Sequence, residues 1–379
     1  MTLIYEGAIS SRAVGGARLH FRGLARAIER SGVEDFRVVL PRFSDEPAYD
    51  PGVASPTRVS RVPTLGRSLK GHVVYEILKS GLVAGCRLSD MLRRRRTVHM
   101  MRISPIGISP LFSRALGAIV VVEVNGLPDS EFESRGFHDV VVRLVRATTT
   151  LQLRAATHVV AVTDGLAAAA RQRTTARVLR IENAVDLDDL GEMIERSGSG
   201  AARTITYSGA FAPWQELELL VRAFARLVER DPESPWRLIL IGDGEDRESI
   251  ERAIVECGVT DLVEITGWVD RNTAAERVLG GRVAVVPLTP KSSSGICGSP
   301  LKLFEYLALD RRVVGSDVDG VVELHDYPVI VYEHGNVDAL VAALESAVAV
   351  EAVPEHNVEW KRRLSWDDRW TRIAAFLEI

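Results

Sequence analysis

The chain has 379 residues, 46% of them hydrophobic and 26% charged, with a formal net charge of −4 at pH 7. This length exceeds one ordinary core and suits two domains, while the composition excludes disordered and fibrous classes. No run approaches the roughly 18 unbroken apolar residues of a spanning helix, Arg12 and Arg18 interrupt the stretch where a signal peptide would be apolar, and the scattered Cys86, Cys257 and Cys297 suggest neither disulfides nor zinc, so a cytoplasmic protein is expected.

Along the first half, strand and helix patterns alternate. A short apolar run at 3–10 leads through the turn Val14-Gly15-Gly16 into an amphipathic stretch at 17–32, in which Leu19, Leu24, Ala27 and Ile28 recur at helical spacing and Gly32 suits a C-cap. A strand follows at 36–41, and the proline-rich stretch 42–68 reads as a long loop. Next come a helix around 70–95 that ends in Arg93 to Arg96, a strand at 98–103, a helix near 108–116 and the strand 118–126. A helix at 135–155, a strand at 157–163, a helix at 164–173 and a strand at 178–183 complete this half. The second half restarts the pattern, with strands at 204–210, 236–245, 262–269, 283–288 and 313–317 and helices at 217–231, 247–258 and 299–309. Continuous Val/Ile strands separated by helices predict parallel sheets covered on both sides.

Charge is divided unevenly between these halves. Up to Leu190 there are 27 Lys and Arg against 19 Asp and Glu, and beyond it 20 against 32. A basic first half predicts contact with something anionic, such as a phospholipid surface at the inner face of the cell membrane or a lipid-phosphate acceptor. The run Arg93 to Arg96 complements a helix dipole and adds to that basic surface. No nucleic-acid module is recognisable, so no nucleic-acid partner is expected.

Three segments of the second half, TYSGAFAPWQELELLVRAFARL (206–227), WRLILIGDGE (236–245) and SPLKLFEYLALDRRVVGSDVDGVVEL (299–324), resemble the donor-binding signature of the group 1 family of retaining glycosyltransferases. RAATHVVAVTDGL (154–166), VLRIENAVDLD (178–188) and the Gly15-Gly16 loop add to the resemblance in the family's order, over nearly the whole chain. It implies a GT-B fold: two Rossmann-like lobes facing across a cleft, residues 1–186 on the acceptor side and 187–363 binding a nucleotide-sugar donor. The closing segment 364–379 is similar to the family's terminal helix that crosses back to the N-terminal lobe, anchored by Trp366 and Trp370 at i,i+4.

The same resemblance assigns site residues. Glu305 matches the family glutamate that accepts hydrogen bonds from the nucleotide ribose, a role suited to a carboxylate beside a cis-diol. Its usual partner eight positions earlier is replaced by Cys297, which reads as a small packed cysteine. The family's diphosphate-binding Arg and Lys are also replaced, by Ala210 and Gln215, and Lys302 is the candidate substitute, with Arg12 a second. Gly15 and Gly16 would let backbone approach the donor. Gly209, Gly298 and Leu301 complete the donor-binding set together with Ser299, which reads as an N-cap with Pro300 at the first helical position, in a loop whose amides suit a pyrophosphate. Trp268 lies where the family's backbone meets the nucleobase, with a packed core tryptophan as the alternative. Glu123 and Asn125 end a central strand where an acceptor would be oriented and are, with Lys302, the catalytic candidates. Asp243 and Glu245 read as turn and cap residues, and Asp317, Asp319 and Gly320 as possible neighbours of the donor. No metal and no cofactor beyond the nucleotide-sugar co-substrate is expected. The acceptor is a glycan, a lipid-linked molecule or a small molecule, and the alternatives to a hexosyltransferase are a silent partner protein and a nucleotide-sugar epimerase.

Overall fold

The run IVVVEV at Ile119–Val124 has apolar side chains on consecutive positions, so it needs cover on both of its faces. A parallel sheet sandwiched by helices supplies that cover. The computed structural model describes residues 1–7, 16–42, 58–63, 69–195, 200–290, 297–349 and 358–379. The chain divides into two compact units, one of Met1–Asn183, Ser292–Ser299 and Trp366–Ile379, the other of Ala184–Lys291 and Pro300–Ser365.

In the first unit the chain runs β1 (Thr2–Glu6), α1 (Gly16–Arg30), β2 (Asp35–Arg42), β3 (Arg58–Pro63), α2 (Leu69–Leu92), β4 (Thr97–Arg102), α3 (Ser109–Ala115), β5 (Ile119–Val124), α4 (Pro128–Ser134), α5 (Asp139–Ala155), β6 (His158–Ala161), α6 (Asp164–Arg171) and β7 (Arg177–Arg180). Its sheet has the order β3-β2-β1-β4-β5-β6-β7, parallel throughout. The second unit contains α7 (Leu187–Glu195), β8 (Ala201–Ser208), α8 (Leu217–Arg230), β9 (Arg237–Ile241), α9 (Arg247–Glu256), β10 (Val263–Ile265), α10 (Arg271–Gly280), β11 (Gly281–Val286), α11 (Leu301–Ala308), β12 (Arg312–Ser316), α12 (Asp319–Val322), β13 (Val329–Tyr332), α13 (Val337–Ala349) and α14 (Val358–Arg362). Here the parallel order is β10-β9-β8-β11-β12-β13. These are the two Rossmann-like sheets expected of a GT-B chain. Among the described residues no helix is long and apolar enough to cross a membrane.

One expectation fails within 42–68. Residues 58–63 form β3, which pairs with β2, although prolines argued against regular structure. The segment RVSRVP alternates valine with polar residues, and its proline closes a strand at the sheet edge, where a missing N–H leaves no ladder partner short.

The helix α15 (Trp366–Leu377) returns to the first unit and packs along α1. Trp366, Trp370, Ile373 and Leu377 are all buried, at the helical spacing of one apolar stripe. Burial of each such side chain stabilises by about 1.5–3 kcal/mol. Close approach is set by Gly23 on α1, where a Cβ would stand 2.1 Å from Trp366 Nε1. Gly23→Ala is therefore expected to destabilise the first unit by about 1–3 kcal/mol through overpacking. Faster amide exchange confined to α1 and α15 would show it, and unchanged exchange would refute the contact's importance.

Candidate active site

In the first unit, β5 delivers Glu123 to the middle of a polar cluster that is closed to solvent. Glu123 is fully buried. Its carboxylate accepts from the Tyr5 hydroxyl at 3.0 Å and from an Arg369 guanidinium nitrogen at 3.2 Å, and lies 3.2 Å from His20 Nε2. Burial alone would raise its pKa, but His20, Arg369 and the Tyr5 hydrogen bond outweigh burial and hold it at about 2. Burial pushes the His20 imidazole down against the pull of Glu123. Trp366 packs edge-on against His20, with ring centroids 4.8 Å apart, and Arg369 Nε donates to Glu182 O at 2.9 Å. Glu123 is thus an internal ionic anchor joining β1, α1, β5 and α15. The sequence-based assignment of Glu123 as a catalytic group is corrected on this ground: its oxygens are engaged by protein groups and have no exposed surface from which to meet an acceptor.

Asn125, two residues further on, is half-buried, with Nδ2 3.4 Å from His20 Nε2 and Oδ1 among the buried polar atoms that lack a hydrogen-bond partner. Gly298 passes its backbone oxygen closely, since a Cβ at 298 would stand 2.8 Å from Asn125 O. The neighbouring Thr163, the N-cap of α6, donates its hydroxyl to Cys297 O at 3.1 Å, and Cys297 is buried, in keeping with a packing role. Ser299 departs from expectation. Asn183 donates its backbone N–H to Ser299 Oγ at 3.2 Å and its amide Nδ2 to Ser299 O at 2.8 Å, so Ser299 belongs to the first unit. Pro300, with φ −78° and ψ 120°, takes the N-cap position of α11 without a side-chain cap, and Leu301 is the first helical residue. Ser299 Oγ thus serves Asn183, and α11 starts without a side-chain cap. Gly16 is the exposed first residue of α1, while Arg12, Gly15 and the 294–296 part of the loop lie outside the described residues.

The second unit assembles its own group at the carboxyl end of β8, the edge at which open parallel sheets bind ligands. Gly209 has φ +148°, a backbone conformation that side chains rarely adopt, and a Cβ there would lie 2.7 Å from Lys302 Nζ. The Lys302 ammonium donates to Gln215 Oε1 at 2.9 Å and sits 3.9 Å from the centroid of the Tyr207 ring. Tyr207 in turn donates to Ala210 O at 2.8 Å, and the Tyr306 hydroxyl accepts the Ser208 N–H at 2.7 Å. Gln215 and Ala210, which stand where the family has Lys and Arg, are therefore parts of the support around Lys302.

One turn along α11, Glu305 is half-buried and accepts from Arg271 at 2.9 Å. Arg271 also lies 3.4 Å from Asp189, so it spans two carboxylates. Desolvation raises the Glu305 pKa above its ordinary value, while Arg271 and then Lys302 pull it down. Arg271 was not foreseen from sequence. Its signal is a basic residue at the start of α10, just beyond Asp270, whose carboxylate caps that helix by accepting from the Asn272 and Thr273 amides. Trp268 is 59% exposed, which removes the core reading. Asp243 accepts from the Gly244 N–H, as a turn residue does, but the N-cap of α9 is Asp246 and not Glu245. Asp317 accepts from the backbone and ring of His334, and Asp319 opens the short α12. Among the described residues no group of three or more His, Cys, Asp or Glu is placed to hold a metal ion.

Residues 202–349, most of the second unit, match the family described as Glycosyl transferases group 1. That segment is similar to the group 1 glycosyltransferases. A curated relative similar to this chain is the 2-deoxystreptamine N-acetyl-D-glucosaminyltransferase of Streptomyces fradiae, 26% identical over 89% of this chain and 83% of that one. A second, the alpha-D-kanosaminyltransferase of Streptomyces kanamyceticus, is 28% identical over 35% of this chain and only 32% of its own length. Among solved structures, the sucrose-phosphate synthase of Thermosynechococcus elongatus superposes with a TM-score of 0.70 at 16% identity, covering 100% of this chain and 98% of that one. Anabaena HepE in complex with UDP does so with a TM-score of 0.69 at 14% identity, covering 100% of both. At such identities the structural likenesses establish the GT-B fold alone.

Proposed function

We propose that this chain is a group 1 glycosyltransferase and moves a hexose-type sugar from a nucleoside-diphosphate sugar to an acceptor hydroxyl with retention at the anomeric carbon, in the synthesis of a polysaccharide, glycolipid or natural-product glycan. The observation that carries the reading is the pairing on α11 of Lys302, propped beside Gly209 by Gln215 and Tyr207, with Glu305, oriented by Arg271. A carboxylate and an ammonium one turn apart match the two handles of the donor, a ribose cis-diol that donates hydrogen bonds and a diphosphate that accepts them. The sugar transfer for which the two Streptomyces relatives are named, and the UDP held by the Anabaena protein, support a nucleotide-sugar donor.

In this reading Glu305 accepts from the ribose hydroxyls and Lys302 donates to the diphosphate. As the bond between the anomeric carbon and the phosphate oxygen breaks, negative charge grows on the diphosphate, and the Lys302 ammonium stabilises it. The acceptor oxygen bonds to the same carbon, and its proton passes to the leaving phosphate. Retention rests on the family resemblance. Asn125, beside Gly298 and with an oxygen free of protein partners, is the candidate to position the acceptor.

Calorimetric titration of the full chain with UDP, GDP, ADP and dTDP, followed by sugar-transfer assays with the corresponding nucleotide sugars, tests the proposal. One diphosphate is expected to bind, and Lys302→Met to weaken it roughly tenfold, the value of one charge-assisted hydrogen bond. Binding of none would support the silent-partner reading, which Cys297, Ala210 and Gln215 favour. Conversion of a nucleotide sugar without an acceptor would instead indicate an epimerase.

A further inference from the structure

The large apolar side chains left exposed on this protein are concentrated in one layer. Of the sixteen such residues among those described, eleven lie on α2, α3 and α5 or just before α5. These three helices pack side by side, α2 on α3 and α3 on α5. On α2, Ile77, Leu88 and Leu92 share one side of the helix, and Leu92 is 87% exposed. On α5, Val140, Leu144 and Leu151 do the same, and Leu144 is 63% exposed. Spacings of four, seven and eleven residues place each set along a single stripe, pointing away from the buried face that covers the sheet. Monomeric proteins seldom leave a patch of this extent uncovered.

Charge indicates what covers it. Arg93 and Arg94 follow directly on the α2 stripe, Arg114 ends α3, and Arg143 and Arg154 flank the α5 stripe, all exposed. Within α2, α3 and α5 the acids are few: Glu76 and Asp90 are buried, which leaves Asp139 as the one exposed acid among the described residues of these helices. Glu131 and Glu133 lie on the neighbouring α4, and Glu133 is 3.8 Å from Arg146. Leucine and valine stripes bordered by arginine are the surface of a helix that rests in a lipid interface, with the apolar side chains at the acyl boundary and the guanidinium groups among the phosphates. A second copy of the chain fits less well, because a two-fold self-contact brings the same patch, and so the same arginines, against itself.

We propose that the α2–α3–α5 layer docks the first unit onto an anionic lipid bilayer, lying on it without spanning it. The sequence pointed to a basic first half and, within it, to the run Arg93 to Arg96. The structure shows that Arg95 is bonded to Asp35 and Arg96 to Glu378 O, so half of that run is engaged elsewhere and the surface is supplied by α5 instead.

Flotation of the purified full chain with phosphatidylglycerol/phosphatidylcholine vesicles, against phosphatidylcholine alone, decides the matter. The protein is expected to float with the anionic vesicles only, and less so in high salt. The pair Arg143→Glu and Arg154→Glu should lower partitioning by at least about thirty-fold, because the loss of each arginine near such a surface costs roughly fivefold. Leu88→Glu with Leu144→Glu should lower it at least roughly tenfold. Val255→Glu, at an exposed apolar site on α9, should change nothing. Circular dichroism melts confirm that the variants fold, which substitutions at exposed positions permit. Equal binding to both vesicle types, or to neither, overturns the proposal. So does a change of oligomeric state in light scattering for the leucine pair with vesicle binding intact, which would make the layer a contact between copies. The assay uses neither donor nor acceptor, so it stands apart from the transfer reading.

Discussion

Replacement of Glu123 by alanine should destabilise the first unit by about 3–5 kcal/mol, because it leaves the Arg369 guanidinium, only 2% exposed, without its counter-charge. The strongest readout is amide exchange in α15, which should accelerate by several orders of magnitude while the second unit keeps its protection. Acid titration supplies an independent check. The Glu123 pKa is held at about 2 against an ordinary value of 4.5. A carboxylate lowered in this way contributes stability that is fully present above about pH 4.5 and is lost as pH falls toward 2. The shift corresponds to about 3 kcal/mol. Glu123→Gln should therefore flatten the loss of α15 protection across that window, and an identical acid profile for the two proteins would contradict the assignment.

The second large effect falls on the donor site. Glu305→Ala is expected to reduce nucleoside-diphosphate affinity by about a hundredfold, since two hydrogen bonds from ribose hydroxyls to a charged acceptor are lost together. A 2′,3′-dideoxy nucleotide should bind the native protein and the variant equally weakly, which ties the loss to the diol. Desolvation raises the Glu305 pKa, and the ionised form is the acceptor. Affinity should consequently fall away at a pH above the ordinary carboxylate range as the solution is acidified. Unchanged affinity in Glu305→Ala would remove the ribose role, whatever nucleotide is used.

How far the sequence discloses these features depends on how local their causes are. The sheets were legible because a strand such as IVVVEV carries its instruction in adjacent residues, and α8 because Leu217, Leu220, Val221, Phe224 and Leu227 repeat at the helical period. Elements lacking such contrast went unread. Helix α13 is alanine-rich, and much of its surface is apolar regardless of direction, so its period is weak. Helix α10 is marked mainly by the Asp270 cap, and the edge strand β13 has only four residues. The site divides along the same line. Glu305 and Lys302 could be placed because they stand on one short helix with a recognisable pattern. Glu123 looked like a strand-end carboxylate available for chemistry, and nothing near it in sequence announces that residue 369, 246 positions later, closes over it. Likewise Ser299 has the grammar of an N-cap, and only the fold shows that Asn183 has taken its oxygens.

The return of α15 has a consequence for synthesis on the ribosome. Tyr5, His20 and Glu123 leave the exit tunnel long before Arg369, which completes their charge balance. During translation the amino-terminal sheet must therefore wait, with an acid at its centre and a groove along α1 open to chaperones, while the entire second unit is made. A fragment that stops at Asn183 should remain in that waiting state, soluble only with assistance, and a peptide spanning 364–379 added in trans should restore the packing along α1 and the charge balance at Glu123.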